Sequence, residues 1–284
     1  RRISCEQLTR RYLKRIETYD QPTQLNAIIY INPNAIERAR SLDEQYGITG
    51  RMKRLHCIPV ILKDNFDTAD MPTEAGSMAM RGANPPDDAF MVRRLRAQDA
   101  IVIAKSNMSE WAFSPYETVS STHGETRNAY DVSRVPAGSS GGTASAIAAN
   151  FGIIGMGTDT GNSIRGPASH LELVGLRSTI GVTSRDGIVP LLLNRDVGGP
   201  LMRNVTDTAI VFSVIAGVDA ADPATAAAAG RVQDDYTVYL KKDGLQGARL
   251  GVLRALVDSG DADLEVMTTM DRAIEELKAA GAVI

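Results

Sequence analysis

The chain has 284 residues, 43% hydrophobic and 23% charged, with 31 Lys+Arg against 34 Asp+Glu for a formal charge of −3. That length supports one large core or two small ones, and a near-balanced charge with no dense basic run excludes the footprint of a nucleic-acid binder. Cys5 and Cys57 are too few for a disulfide framework or a four-ligand metal site, and both read as small buried apolar residues. The histidines are His56, His123 and His170, with no His-Glu-x-x-His pattern, so a zinc hydrolase is not indicated and neither metal nor cofactor is called for.

Ser4 and Gln7 form a capping-box pattern ahead of Leu8, Tyr12, Leu13, Ile16 and Tyr19 at helical spacing. Residues 26–31 read as a strand; Pro33 then takes the first position of a second helix, with Gly47 beyond its end. Residues 57–62 read as a buried strand ending at Lys63, 87–98 as a helix and 100–104 as a strand. After Gly138-Ser139-Ser140-Gly141-Gly142, residues 143–150 are alanine-rich and helix-compatible, and 152–157 are a short apolar strand. Further on, 209–218 read as a buried helix, 249–253 as a strand, 263–280 as an amphipathic helix and 281–284 as the opening of another strand. Strands alternating with helices indicate an α/β sheet covered by helices. A terminus inside an αβ step suggests a fragment, and residues 220–230 are the nearest thing to a flexible join.

The uncharged run 135–158 has the length of a membrane span, but Pro136, Asn150 and its glycines point to buried protein interior, and no membrane span is expected. The stretch after Arg1 lacks the apolar run of a signal peptide, so the reading is cytoplasmic.

Three segments carry the chemistry. Ser163 closes the turn Thr160-Gly161-Asn162, whose consecutive backbone N–H groups can converge on an oxyanion. The alternative is a serine that merely caps a helix. Lys63 ends the apolar run 58–62; acting as a base near neutrality requires a fall of ~3 units, ~4 kcal/mol, from its ordinary pKa, which burial can supply. Its alternative is an ion pair with Asp64 or Asp67. Ser139 offers a second hydroxyl able to relay a proton between the two. Gly138–Gly142 also fits Gly-x-Ser-x-Gly with Ser140 central, but Pro136 interrupts the strand this elbow needs, and Asp159 and His170 crowd the remaining triad positions. No Ser-x-x-Lys occurs.

Taken together, Lys63, the Gly-Ser-Ser-Gly-Gly loop and Thr158–Arg165 resemble the amidase signature family of serine hydrolases. Supporting blocks are Leu25-Asn26-Ala27, Lys105–Glu110, Arg127-Asn128, Gly175-Leu176-Arg177, Ser184–Ile188 and Gly199-Pro200. The resemblance implies Ser163 as nucleophile, Ser139 as a cis-peptide proton relay, Lys63 as base, and the N–H groups of Thr160, Gly161, Asn162 and Ser163 as oxyanion hole. It also implies a mixed central β-sheet with helices on both sides over 1–284 as a single domain, incomplete at the C-terminus. Asn162 departs from the family's commonest glycine, Cys57 from a usual glycine and Ser178 from a common proline. Trp111, Ala112, Phe113 and Ser114 are the expected wall of the acyl pocket. The expected reaction is hydrolysis of a small-molecule or peptide carboxamide to acid and ammonia through an acyl-enzyme, with a homodimer left open. The alternatives are the glutaminase subunit of a transamidating complex and a non-catalytic small-ligand sensor.

Overall fold

The capping box is present. Ser4 Oγ accepts the Gln7 N–H at 3.0 Å and Gln7 Oε1 accepts the Ser4 N–H at 3.1 Å, which starts α1 (Cys5–Tyr19). After β1 (Ile28–Ile31), α2 (Ala35–Thr49) begins two residues beyond Pro33, because Asn32 Oδ1 accepts the Asn34 N–H and holds a turn there. Gly47 lies inside that helix; Gly50, at φ 62°, ends it. Next come β2 (Pro59–Lys63), α3 (Phe90–Ala97) and β3 (Ile101–Ser106), then a small hairpin of β4 (Val119–Ser120) and β5 (Gly124–Glu125). The site region is built by α4 (Gly141–Ala148), β6 (Ile154–Asp159), α5 (Arg165–His170), β7 (Val174–Gly175), β8 (Val197–Met202) and α6 (Val205–Ile215). The chain closes with α7 (Arg254–Val257) and α8 (Leu264–Ala279).

This computed structural model describes residues 3–258, 260 and 262–284. It forms two compact units, one running to Asp235 and one over Tyr236–Ile284, where the sequence suggested a single domain over 1–284. In the first unit the sheet order is β1-β3-β2-β6-β8-β7. β3, β2 and β6 run parallel, while β1, β8 and β7 join antiparallel at the flanks. The sheet is thus mixed. One face buries Ile61 and Ile103 against Cys5 and Ile16 of α1, Ala39 and Leu42 of α2 and Ile147 of α4. The opposite face is covered by α3: a Cβ on Gly198 would meet Met91, whereas one on Gly199, pointing the other way, would meet Ile164 beside α5.

No strand was expected where β8 forms, since glycine and proline carry little strand propensity. The glycine at 199 serves close approach instead: an added Cβ would sit 2.3 Å from the Leu176 carbonyl oxygen. In the second unit the expected strands at 249–253 and 281–284 reduce to a parallel bridge between Arg249 and Val283. A lone pair of strands lacks the neighbours that a stable ladder needs. Cys5 and Cys57 are joined as a disulfide across 52 residues, contrary to the expectation of two separate buried side chains. Among the described residues, no helix is long and apolar enough to cross a membrane; the uncharged run is divided between α4 and β6.

A buried ion pair braces the end of β2. Lys105 Nζ lies 3.7 Å from Asp64 Oδ1, both side chains fully buried, and donates to Thr73 Oγ1 at 3.0 Å. Asp64 also accepts the backbone N–H of Gly76 at 3.1 Å. Burial pushes the Asp64 carboxyl up and the Lys105 ammonium down, each opposed by the other's charge. Lys105→Met leaves Asp64 buried and unpaired, and is expected to cost about 3–5 kcal/mol in urea unfolding. A cost below ~1 kcal/mol would show that Asp64 is held by its backbone donors alone.

Candidate active site

Lys63, Ser139 and Ser163 converge at the C-terminal end of the parallel strands, where open α/β sheets present their clefts. β2 delivers Lys63 as its last residue, fully buried. Its Nζ is 2.7 Å from Ser139 Oγ and 2.7 Å from Thr158 Oγ1, and Asn65 Nδ2 donates to the same threonine oxygen at 3.0 Å. Burial pushes the Lys63 ammonium down to about 7, against the upward pull of Asp159 and Asp196. The alternative of an ion pair with Asp64 is not realised, because Asp64 belongs to Lys105.

Ser139 is held rigidly ahead of α4. The Gly138–Ser139 peptide is cis, the Ser139 carbonyl accepts the Ser109 N–H at 3.1 Å and the Gly138 N–H donates to the Pro115 carbonyl at 3.0 Å. A Cβ on Gly138 would lie 2.2 Å from the Glu117 carbonyl oxygen, and one on Gly142 2.1 Å from that of Asn107. These glycines let main chains touch. They are not a linker. Ser140 is turned inward, its Oγ donating to the Thr158 carbonyl at 3.1 Å. His170 is exposed, with Nδ1 3.5 Å from the Val135 carbonyl, so the elbow constellation of Ser140, Asp159 and His170 is not assembled.

Ser163 sits at the end of a turn anchored by Asp159. That buried carboxylate accepts the N–H groups of Ile164 and Arg165 at 3.1 and 3.3 Å and pairs with Arg165 Nε at 3.1 Å and Arg177 Nη1 at 3.0 Å. Burial alone would raise its pKa; the Arg165 hydrogen bonds and the Ile164 N–H more than offset this and hold it below the usual carboxylate range. Arg165 Nη2 also donates to the Gly161 carbonyl at 2.7 Å, and Thr160 Oγ1 donates to Asp196. Asn162 Nδ2 donates to the Pro115 carbonyl at 3.1 Å, so the residue that departs from glycine ties this turn to the Ser139 loop. The turn leaves the backbone N–H groups of Thr160, Gly161, Asn162 and Ser163 without a protein acceptor among the described residues. A methyl on Gly161 would meet no protein atom within 4 Å. Ser163 Oγ makes no hydrogen bond to Ser139 here; the two segments are joined by the Ser140 N–H on the Ser163 carbonyl at 3.3 Å. Such contacts often tighten only when substrate is bound.

A cavity of ≈ 360 Å³ opens on this turn, lined by Thr160–Ser163, Ala112, Phe113, Pro115, Leu191, Leu192 and Arg195. Of the expected wall, Ala112 and Phe113 line it. Trp111 and Ser114 do not: the Ser114 carbonyl instead accepts Ser109 Oγ at 3.1 Å, supporting the loop behind.

Beside this geometry, the amidase family model matches residues 7–284. The chain belongs to the amidase family. It is 43% identical to the peptide amidase of Stenotrophomonas maltophilia, superposing with a TM-score of 0.90 over 99% of this chain and 58% of that one. An amidase family protein from Bacillus anthracis superposes at 0.91 with 38% identity, over 99% and 56% of the two chains. A glutamyl-tRNA(Gln) amidotransferase subunit from Caldanaerobacter subterraneus subsp. tengcongensis is 38% identical over the whole chain and 57% of its own length. The chain therefore spans somewhat more than half of these family members.

Sequence reasoning did not single out Thr158, Asn65 or Asp196 as part of the amidase site. Two polar residues, Thr158 and Asp159, closing an otherwise apolar buried strand were the readable signal for the first. Asp196 lies 33 residues beyond Ser163, and only the fold brings it under the turn.

Proposed function

We propose that this chain carries the catalytic centre of an amide-bond hydrolase that converts a carboxamide to a carboxylic acid and ammonia through an acyl-enzyme on Ser163. The observation that carries the reading is the buried Lys63 Nζ, 2.7 Å from Ser139 Oγ, with a pKa near 7, beside a turn of four unoccupied amides ending in Ser163. In the neutral form Lys63 presents a lone pair to the Ser139 proton. Ser163 Oγ attacks the carbonyl carbon and its proton passes to Ser139 Oγ as Ser139 hands its own to Lys63. The oxyanion collects in the Thr160–Ser163 turn. Lys63 then returns the proton through Ser139 to the leaving nitrogen, ammonia departs, and water repeats the relay to release the acid. Ala112, Phe113, Pro115 and Leu192 give the acyl side an apolar wall, which favours substrates with a hydrophobic residue next to the amide.

A fluorophosphonate probe followed by peptide mapping tests this without a guess about substrate, because it reports an activated serine beside an oxyanion site. An adduct on Ser163 is expected; an adduct on Ser140 would revive the elbow reading, and none would favour the sensor. A peptide amidase 42% identical to this chain has been solved with the competitive inhibitor chymostatin. Chymostatin is accordingly expected to raise the KM of this protein for a peptide amide and leave kcat unchanged; a fall in kcat at constant KM would place the compound elsewhere.

The whole-chain similarity to a subunit of glutamyl-tRNA(Gln) amidotransferase favours a second reading, the glutaminase subunit of a transamidating complex. Ammonia release from glutamine alone, together with copurifying partner chains, would select it.

A further inference from the structure

Far along the chain from the serines, three metal-binding side chains meet at the start of α1. One ligand atom from each of Cys5, His56 and Cys57 lies within 4.8 Å of the others, with His56 Nε2 3.7 Å from Cys5 Sγ. Two zinc ligands at ~2.3 Å (sulfur) and ~2.0 Å (nitrogen) in tetrahedral geometry stand about 3.5 Å apart, so this pair already has the spacing. The other ring nitrogen of His56 faces Asp99 Oδ2 at 3.3 Å, with both side chains at 7% exposure or less. That is the carboxylate–histidine arrangement that fixes a metal-ligating tautomer. Asp99 is itself neutralised by Arg38 at 3.3 Å and Lys53 at 3.4 Å. The catalytic reading uses none of these residues.

We propose that Cys5, His56 and Cys57 form a redox-gated site for a soft divalent cation, zinc, and that the disulfide seen here is its oxidised, metal-free state. Reduction by a phosphine or a dithiol breaks the Cys5–Cys57 bond with two electrons. The two sulfurs, as thiolates, and neutral His56 Nε2 then supply three ligands, leaving a fourth position for water. The dithiolate and Zn²⁺ sum to zero charge, which suits a buried location; two thiolates without a cation there would not. In the reverse direction the zinc-bound thiolates reduce a small disulfide such as oxidised glutathione. The Cys5–Cys57 bond forms, the small disulfide leaves as two thiolates, and Zn²⁺ is released. Either state ties the N-terminus of α1 to the segment entering β2, the strand that carries Lys63.

The test takes the full-length protein, reduces it with a phosphine, removes excess reductant and adds Zn²⁺. One equivalent bound per chain is expected, with release of that zinc and loss of two titratable thiols on adding oxidised glutathione. Co²⁺ in its place should give a thiolate-to-metal charge-transfer band. Cys57→Ser should abolish binding, and Asp99→Asn should weaken it by ~10–100-fold while both thiols remain titratable and Ser163 is still labelled by the fluorophosphonate. A reduced protein with two reactive thiols and no zinc would overturn the proposal. So would undiminished binding by Cys57→Ser, or a disulfide that resists reduction in the folded protein. Because labelling of Ser163 is read separately, the outcome does not depend on the amidase reading.

Discussion

Ser163→Ala is expected to lower kcat/KM for any amide substrate by ~10⁴–10⁶-fold and to abolish fluorophosphonate labelling, with the melting temperature little changed. The magnitude follows from removing a nucleophile whose partners have no other route to an acyl-enzyme. Ser163 has 4% exposure but its hydroxyl makes no hydrogen bond among the described residues: what holds the turn is Asp159 with Arg165 and Arg177. Stability and activity should therefore separate cleanly. Ser139→Ala should cost nearly as much, because Lys63 then has no hydroxyl within hydrogen-bond reach on the side of Ser163, and losses within one relay do not add. Steady-state kinetics of both variants and of the double variant decide the matter. Ser163→Ala retaining a tenth of the activity would rule out an acyl-enzyme on that residue.

Lys63→Met should inactivate the enzyme and, at pH 8, stabilise it. The folded-state pKa of about 7 lies below the ordinary 10.5. Between those values the unfolded chain binds a proton that the folded chain does not, so Lys63 costs stability as the pH falls from 10.5, with the cost fully developed below pH 7. At ~1.4 kcal/mol per unit, less ~1 kcal/mol for each of the two lost hydrogen bonds, Lys63→Met should gain ~1–2 kcal/mol at pH 8 and lose ~1–2 kcal/mol above pH 10, where only the lost hydrogen bonds count. Urea unfolding at the two pH values measures this. A variant less stable than wild type at pH 8 would show that the hydrogen bonds to Ser139 and Thr158 outweigh desolvation. The same titration shapes catalysis: kcat/KM should rise about tenfold per pH unit below 7 and level off above it.

Much of this molecule is legible without coordinates. The Ser4–Gln7 box, the apolar strand leading to Lys63 and the α/β alternation all follow from local rules, because caps, helical spacing and buried strands are written in neighbouring residues. The triad candidates are legible too, as three motifs that together resemble one family although each alone has another reading. Local rules failed where a residue's meaning depends on a distant neighbour. Gly198-Gly199-Pro200 gives no strand signal until the Leu176 carbonyl is seen against Gly199. Cys5 and Cys57 read as separate residues until α1 and the entry to β2 are brought together.

By itself, then, the sequence determined the family and the class of fold, and it offered Lys63, Ser139 and Ser163 as candidates. Tertiary structure decided which buried lysine meets a carboxylate and which meets hydroxyls. Lys63 and Lys105 are both fully buried strand residues; Lys105 has Asp64 beside it at 3.7 Å, whereas Lys63 meets two hydroxyls and feels Asp159 and Asp196 only at a distance. Burial pushes both ammonium groups down, and a contacting carboxylate opposes that push for one of them. No spacing along the chain encodes that contact.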